Sequence, residues 1–214
     1  MIENQNLIHH LLIIDEAIDN IEPRELIYHV NQSIHGIRTE AIRNEHQDHR
    51  ITLYISSNRG LRCLYASTTA VIAPLIHIEN FNKLPCKSNI YDAIGVGIGT
   101  MKVAAYRAQQ PVRKQITIFS SCTDNISQKY SACNLKSLVT MLRGLGWFFS
   151  YVGFSALVPV LAKEIGIDMC CVLKSNSQIK SRDSILGILK RQWILKNPEG
   201  STSIVYHRKK IETA

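Results

Sequence analysis

Acidic and hydroxyl side chains follow two of the most apolar runs in this chain of 214 residues. The run LLIIDEAID passes from four aliphatic residues directly to Asp15 and then to Asp19. The run QITIFSSCTDN places Ser121 and Asp124 after its apolar part in the same way. Carboxylate and hydroxyl oxygens are the ligands that hard cations such as Mg²⁺ prefer. The two runs therefore predict a metal or partner-binding site if the fold brings their ends together.

The elements that would position these side chains alternate between strand and helix. Fully apolar runs such as Leu11–Ile14 are typical of strands that are covered on both faces. The run Ile51–Ser56, a turn at Asn58–Gly60 and a return strand to Ala66 predict a hairpin. Helical spacing of apolar residues predicts helices from Pro23 onward and over 89–107, 134–145, 157–165 and 182–193. Short apolar runs predict further strands over 115–120, 147–152 and 169–173.

This alternation predicts the α/β class: a doubly wound, mostly parallel central sheet with one antiparallel edge strand and helices on both faces, which is a Rossmann-like arrangement. We expect one domain over residues 1–197 and a C-terminal basic tail or extra strand over 198–214. From Leu61 through Ile78 we expect extended chain, interrupted by Pro74.

The predicted sheet places the acidic and hydroxyl residues together. In open α/β sheets, ligands bind beyond the carboxyl ends of the strands, where the strand order reverses. The residues after Ile14 and those from Ser120 to Asn125 should lie side by side at that edge. The segment Lys87–Asn89 opens a predicted helix, whose free N–H groups would favour an anion.

Four segments of the chain, read in order, resemble the von Willebrand factor A domain, and in particular its free-standing cytoplasmic bacterial members. They are LLIIDEAIDNI, SNIYDAIGVGI, ITIFSSCTDNISQKYSACNLKSLV and GWFFSYVG, which span roughly residues 11–195. The resemblance implies a metal-ion-dependent adhesion site. There a divalent cation, usually magnesium, is held by two serines, a threonine and aspartates, and takes a carboxylate from a partner protein.

The resemblance also implies that this site is degenerate. Ala17 stands at the first serine and cannot ligate, whereas Asp19 stands at the second serine and offers a charged oxygen. Ser88 stands at the threonine, and Ser121 stands where an aspartate is expected. Asp124 lies three residues further on. The metal ligands implied by the resemblance are Asp15, Asp19 and Ser88, for Mg²⁺ or Mn²⁺, and the implied partner-binding residues are Asp15, Asp19, Ser88, Ser121 and Asp124.

We expect from this resemblance a non-enzymatic docking or adaptor domain that binds another protein. One alternative is a basic adaptor that contacts nucleic acid, because the net charge is +8 and a basic run lies at His207–Lys210. Another is a Rossmann-like enzyme. The glycines of IGVGIGT lie two apart inside a helical pattern, however, and not in the G-x-G-x-x-G spacing of a nucleotide loop. Close packing of the helix on the sheet explains Gly95, Gly97 and Gly99 better.

The remaining chemistry-bearing residues favour a cytoplasmic protein without a membrane span. The six cysteines form no C-x-x-C motif and are expected to be reduced, mostly buried thiols. The eight histidines include His9, His10, His46 and His49, which we expect at the surface. The uncharged segment 144–162 contains glycines and a proline, and we expect it to form a buried strand, a loop and a helix.

Overall fold

The computed structural model describes residues 6–17, 22–81, 87–107, 112–124 and 126–173. The predicted helix over 182–193, the tail over 198–214 and Asp19 lie outside the described residues. The strands are β1 (Asn6–Asp15), β2 (Gln47–Ser57), β3 (Gly60–Thr69), β4 (Val112–Phe119), β5 (Phe148–Gly153) and β6 (Cys170–Val172). The helices are α1 (Pro23–Arg43), α2 (Ile90–Arg107), α3 (Ala132–Gly144) and α4 (Val158–Glu164).

The six strands form one sheet in the order β3-β2-β1-β4-β5-β6. All neighbours are parallel except β2 and β3, so the predicted antiparallel strand lies at one edge. The strand order reverses at β1, which pairs with β2 on one side and β4 on the other. These pairings confirm the predicted α/β fold class.

Alternate residues of β1 face two separate hydrophobic cores. Leu12 and Ile14 pack into a core that includes Val30 and Ile34 of α1. Leu11 and Ile13 face the opposite core, which α2, α3 and α4 cover. Full burial of an aliphatic side chain stabilises a fold by about 1.5–3 kcal/mol. Because both faces of β1 are buried, packing fixes the position of this central strand and therefore of its last residue, Asp15.

The glycines of α2 differ in what surrounds them. A Cβ added to Gly97 would lie 2.9 Å from Leu11 Cδ2 and 3.2 Å from Ile13 Cδ1, which confirms close helix–sheet packing there. A Cβ added to Gly95 would run into the Tyr130 ring, on the loop before α3. Gly99 has nothing within 4 Å, so packing does not explain it.

The segment after β3 is not extended to Ile78 as the sequence suggested. It forms two short 3-10 turns, Ala70–Ile72 and Ile78–Asn80. Asn31 of α1 holds the chain between them, because its side chain accepts a hydrogen bond from Ile76 N and donates one to Ile76 O. These two bonds satisfy the backbone N–H and C=O groups of Ile76, as a neighbouring strand would. Contacts between residues so far apart in the sequence leave no local signal in it.

The prediction of surface histidines is wrong for His29 of α1, which is 5% exposed, and for three histidines of the sheet. His9, His10 and His49 lie in strands and are each less than 10% exposed. His10 Nε2 lies 3.1 Å from His49 Nδ1 across the sheet, and His9 Nε2 lies 2.8 Å from the Thr52 hydroxyl. Burial lowers the pKa of all three rings, so they are neutral near pH 7.

The uncharged segment 144–162 forms the end of α3, strand β5 and the start of α4, as predicted. Within the part of the chain that the structure describes, no helix combines the length and the apolar character needed to cross a membrane.

Candidate functional site

Asp15, the last residue of β1, joins three loops at the carboxyl edge of the sheet. Its Oδ2 accepts hydrogen bonds from the hydroxyl of Ser88, at 2.7 Å, and from the hydroxyl of Ser120, at 2.8 Å. Its Oδ1 accepts a bond of 3.1 Å from Ala17 N. All three side chains of this cluster are buried, with Asp15 1%, Ser88 0% and Ser120 4% exposed. We call Asp15, Ser88 and Ser120 the junction.

The register of the sheet explains how the junction forms. Ile14 lies opposite Phe119 in the β1–β4 pair, so the next residues, Asp15 and Ser120, are neighbours. Ser120 was not among the predicted site residues. Aligning the two apolar runs at their last residues, Ile14 and Phe119, would have found Ser120. A polar residue directly follows each of these two positions.

Burial dominates the electrostatics of the junction. The loss of water raises the pKa of the Asp15 carboxyl from 3.8 to about 6, although the bonds from Ser88 and Ser120 oppose the shift. Burial also raises the pKa of the phenol of Tyr151, on the neighbouring strand β5, above the ordinary value. The junction is therefore a dry network in which two hydroxyl groups stabilise one carboxylate.

Asp124 is placed beside the junction but caps helix α2. Its backbone forms a parallel bridge with Ser88, and its Oδ1 accepts bonds from Tyr91 N, at 3.3 Å, and from the Ser127 hydroxyl, at 2.6 Å. Ser127 in turn accepts a bond of 3.0 Å from Asp92 N. The first N–H groups of α2 therefore have protein acceptors, and the expectation that they favour an external anion is wrong.

Asp92 was missed by the sequence analysis, and it holds the loop before α3. Its carboxylate accepts three backbone bonds of 2.9–3.0 Å, from the N–H groups of Gln128, Lys129 and Tyr130. These bonds lower the pKa of Asp92 although partial burial opposes them. An acid in the first turn of a predicted helix was the available signal, but its partners could not be named without the fold.

The remaining loop contacts tie the neighbouring strands together. Ser121, a predicted partner-binding residue, accepts a bond of 2.8 Å from Phe154 N in the loop after β5. The Cys122 thiol donates a bond of 2.9 Å to Ala17 O in the loop after β1. Glu16 is buried, and its carboxylate pairs with Arg62 of β3 at 3.3 Å. At the carboxyl edge of the sheet, these contacts link the loop after β1 to the loop after β4 and to β3, and the loop after β4 to the loop after β5.

The oxygens available for a cation at the junction are few. Asp15, Ser88 and Ser120 supply one carboxylate and two hydroxyl groups, and both hydroxyl protons already point at Asp15 Oδ2. Mg²⁺ requires about six oxygens and usually retains several waters. Among the described residues, no group of three or more His, Cys, Asp or Glu is arranged to hold a metal ion. The described donors therefore do not fit an octahedral Mg²⁺ site.

Comparisons with known proteins identify the fold. No protein-family model matches the sequence, and no curated protein matches it either. The VWA domain of SpRpn10 matches in structure with a TM-score of 0.53 and 13% sequence identity, over 83% of this chain and 95% of that chain. Proximal thread matrix protein 1 from the mussel byssus matches with a TM-score of 0.53 and 9% identity, over 88% of this chain and 47% of that chain.

These likenesses, at the identities found, concern the fold. The mostly parallel sheet of this chain, with its single antiparallel edge strand, superposes on a VWA domain of which the chain covers 95%. The chain therefore has the fold of a von Willebrand factor A domain, and Asp15 stands at the end of its first strand, where the resemblance placed the first aspartate of the adhesion site.

Proposed function

We propose that this chain is a protein-docking domain of the von Willebrand A type and that its binding surface is made of loops fixed by the junction. The observation that carries the proposal is the convergence of two hydroxyl groups and one backbone N–H on the carboxylate of Asp15. This convergence fixes the loop after β1, the loop before α2 and the loop after β4 against one another.

The residues that would touch the partner are those that the loops expose. Asp15 and Ser88 are buried, so in this proposal they shape the surface and do not contact the partner. We call the exposed loop residues the loop rim: Lys87, Thr123, Gln128, Lys129 and Leu157. Leu157 is a large apolar side chain that is 51% exposed, and such side chains are typical of protein interfaces when polar residues surround them.

We further propose that docking at the loop rim does not depend on a metal ion. In the adhesion site that the sequence resembles, a divalent cation takes a carboxylate from the partner. Here the side chain of Ala17 has no oxygen to offer, and the hydroxyl groups of Ser88 and Ser120 already donate hydrogen bonds to Asp15. A cation would have to replace both bonds in a dry site, where Mg²⁺ could not keep the waters that it usually retains.

The same burial argues against an enzyme. Ser88 and Ser120 each lie within hydrogen-bond distance of a carboxylate, which is the arrangement that activates a nucleophile. A substrate could not reach either hydroxyl, however, because the two side chains are 0% and 4% exposed. A non-enzymatic role is therefore part of the proposal.

We place the protein in the cytoplasm in this proposal. The five described cysteines carry free thiols, but the expectation that most are buried is wrong, since Cys122 is the one buried cysteine among these five and Cys63 and Cys133 are exposed. Free exposed thiols are typical of a reducing compartment.

The proposal is tested by affinity capture with the full chain as bait, in chelator and again in Mg²⁺. The rim variant is Lys129→Glu/Leu157→Asp, and the matched control is Lys102→Glu/Val103→Asp on the exposed side of α2. We expect the same partner with and without Mg²⁺, loss of capture in the rim variant, and retention in the control. Capture that the rim variant leaves unchanged, or that requires Mg²⁺, would contradict the proposal.

A further inference from the structure

Several of the basic residues that are scattered along the sequence lie together at the amino edge of the sheet, opposite the loop rim. Helices α1 and α3 each end with a basic residue in the last turn, Arg43 and Arg143. Strand β4 begins with Val112 and then presents Arg113 and Lys114. Because these helices run antiparallel to the parallel strands that follow them, their last turns lie at the edge where those strands begin.

The register of the strands confirms this gathering. Arg113 lies opposite Ile8 near the start of β1, and Gln47, the first residue of β2, lies opposite Asn6. Lys114 Nζ lies 5.4 Å from the centre of the Trp147 ring, just before β5. The starts of β2, β1, β4 and β5 therefore form one edge that is about 14 Å wide, at about 4.8 Å between strands.

Several of these cations are not neutralised by a neighbouring acid. Arg50 pairs with Asp48, and Arg143 pairs with Asp168. Helix α2 also precedes a parallel strand, β4, so Lys102, near the end of α2, lies towards the same edge. Within the described ranges, Arg43, Lys102 and Arg113 form no ion pair. Among the described residues, the exposed acids of this edge are Glu45 and Asp168, and Asp168 is the partner of Arg143. We call Arg43, Lys102, Arg113 and Lys114 the basic edge.

The dipoles of the helices do not account for the whole basic edge. A cation in the last turn of a helix, such as Arg43, complements the negative end of the helix dipole. Arg113 and Lys114 begin a strand, and strands have only small net dipoles. Partial burial lowers the pKa of Lys114, and the Trp147 ring stabilises its ammonium group through a cation–π contact. An anionic ligand would explain cations at these positions.

An exposed aromatic ring stands beside the cations. Tyr106, in the last turn of α2, is 90% exposed, and Lys102 lies four residues before it on the same side of the helix. A flat ring beside cations is the combination on which the bases of a single strand stack while its phosphates follow the charges.

We propose that the basic edge, together with Tyr106, binds single-stranded nucleic acid. This surface is separate from the loop rim, so one chain would hold a protein partner at one edge of the sheet and a nucleic acid at the other. Base identity is not read at the basic edge, because stacking and phosphate contacts tolerate any sequence.

The test measures binding of fluorescent oligo(U) and oligo(dT) to the full chain by anisotropy, from about 50 to 200 mM salt. The edge variant is Lys102→Glu/Arg113→Glu, and the matched control is Lys87→Glu/Lys129→Glu on the loop rim, which has the same change of net charge. Circular dichroism shows that each variant is folded.

We expect wild type and control to bind with the same salt dependence and the edge variant to bind more weakly. Each lost phosphate contact of a single strand lowers the slope of log affinity against log salt by about 0.7, so two contacts lower it by about 1.4. Over a fourfold change in salt, the affinity of the wild type should fall about sevenfold more than that of the edge variant. Tyr106→Ala should weaken binding about tenfold through the loss of stacking.

Three results would overturn the proposal. One is no binding of either oligonucleotide at about 50 mM salt. Another is an equal loss of affinity in the edge variant and the control, or equal competition by poly-glutamate, since a general attraction for anions would then suffice. The third is loss of binding only when Arg208, Lys209 and Lys210 are changed to alanine, which would assign the interaction to the C-terminal run.

Discussion

Replacing Asp15 with asparagine should change how the stability of the fold depends on pH. The amide oxygen of asparagine can still accept the two hydroxyl bonds from Ser88 and Ser120. Its NH₂ group would face Ala17 N, so one bond is lost at a cost of about 1 kcal/mol. The substitution also removes the buried negative charge. Asp15→Asn should therefore be less stable than the wild type in acid and gain on it as the pH rises.

The size of the effect follows from the pKa of Asp15. Burial raises this pKa from 3.8 to about 6, and a difference of that size is worth about 3 kcal/mol. Because the folded-state pKa is the higher one, the stabilisation is fully present below pH 3.8 and is lost as the pH rises through about 6. The unfolded carboxyl is already mostly ionised at about pH 4.5, so about 2 kcal/mol of the effect falls between pH 4.5 and 8.

Urea unfolding of the wild type and Asp15→Asn at several pH values measures this difference directly. Other titrating groups cancel because they are common to both proteins. Asp92→Asn is the matched control with the opposite sign: backbone hydrogen bonds lower the pKa of Asp92, so its stabilisation is lost as the pH falls. A difference between wild type and Asp15→Asn that stays constant from pH 4.5 to 8 would refute the reasoning about the buried carboxylate.

Three further changes test the packing and the polar contacts. Ser120→Ala removes one of two hydroxyl donors to a carboxylate that keeps the other, and should lower the free energy of unfolding in urea by about 1 kcal/mol. Gly97→Ala should lower it by about 1–3 kcal/mol, because its Cβ would crowd the side chains of β1. Gly99→Ala, with open space around it, should raise it by about 0.5–1 kcal/mol. For the buried His10–His49 pair the folded-state pKa values are the lowered ones, so stability is lost as the pH falls below 6.5. His49→Phe should therefore reduce the drop in melting temperature on acidification, and an unchanged drop would show that the pair does not cause it.

The sequence was sufficient to predict the architecture because each apolar strand carries its own signal. The four aliphatic residues before Asp15 predict a strand with both faces covered, and the packing of Leu11 and Leu12 into opposite cores is the reason. The first five residues of β1, NLIHH, carry no such signal. Their histidines are buried because Thr52, His49 and Gln115 supply partners from neighbouring strands, and those partners are known only once the register is known.

The candidate site was predictable to the level of its loops but not of its bonds. The order of strands and helices was enough to bring the loops around Asp15, Ser88 and Asp124 to the same edge. The role of Asp124 depends on the N–H of Tyr91, 33 residues away, and the role of Asp92 depends on a loop 36–38 residues away. Side-chain bonds over such separations follow from the fold and leave no pattern in the sequence.

Calorimetric titration of the chelator-treated protein with Mg²⁺ and then Mn²⁺, alongside Asp15→Ala, shows whether the junction can bind a metal ion. The junction is buried, and the hydroxyl groups of Ser88 and Ser120 already donate hydrogen bonds to Asp15. The account predicts no saturable heat with either cation. Saturable binding of one cation per chain that disappears in Asp15→Ala would contradict it and would show that the junction opens to coordinate metal.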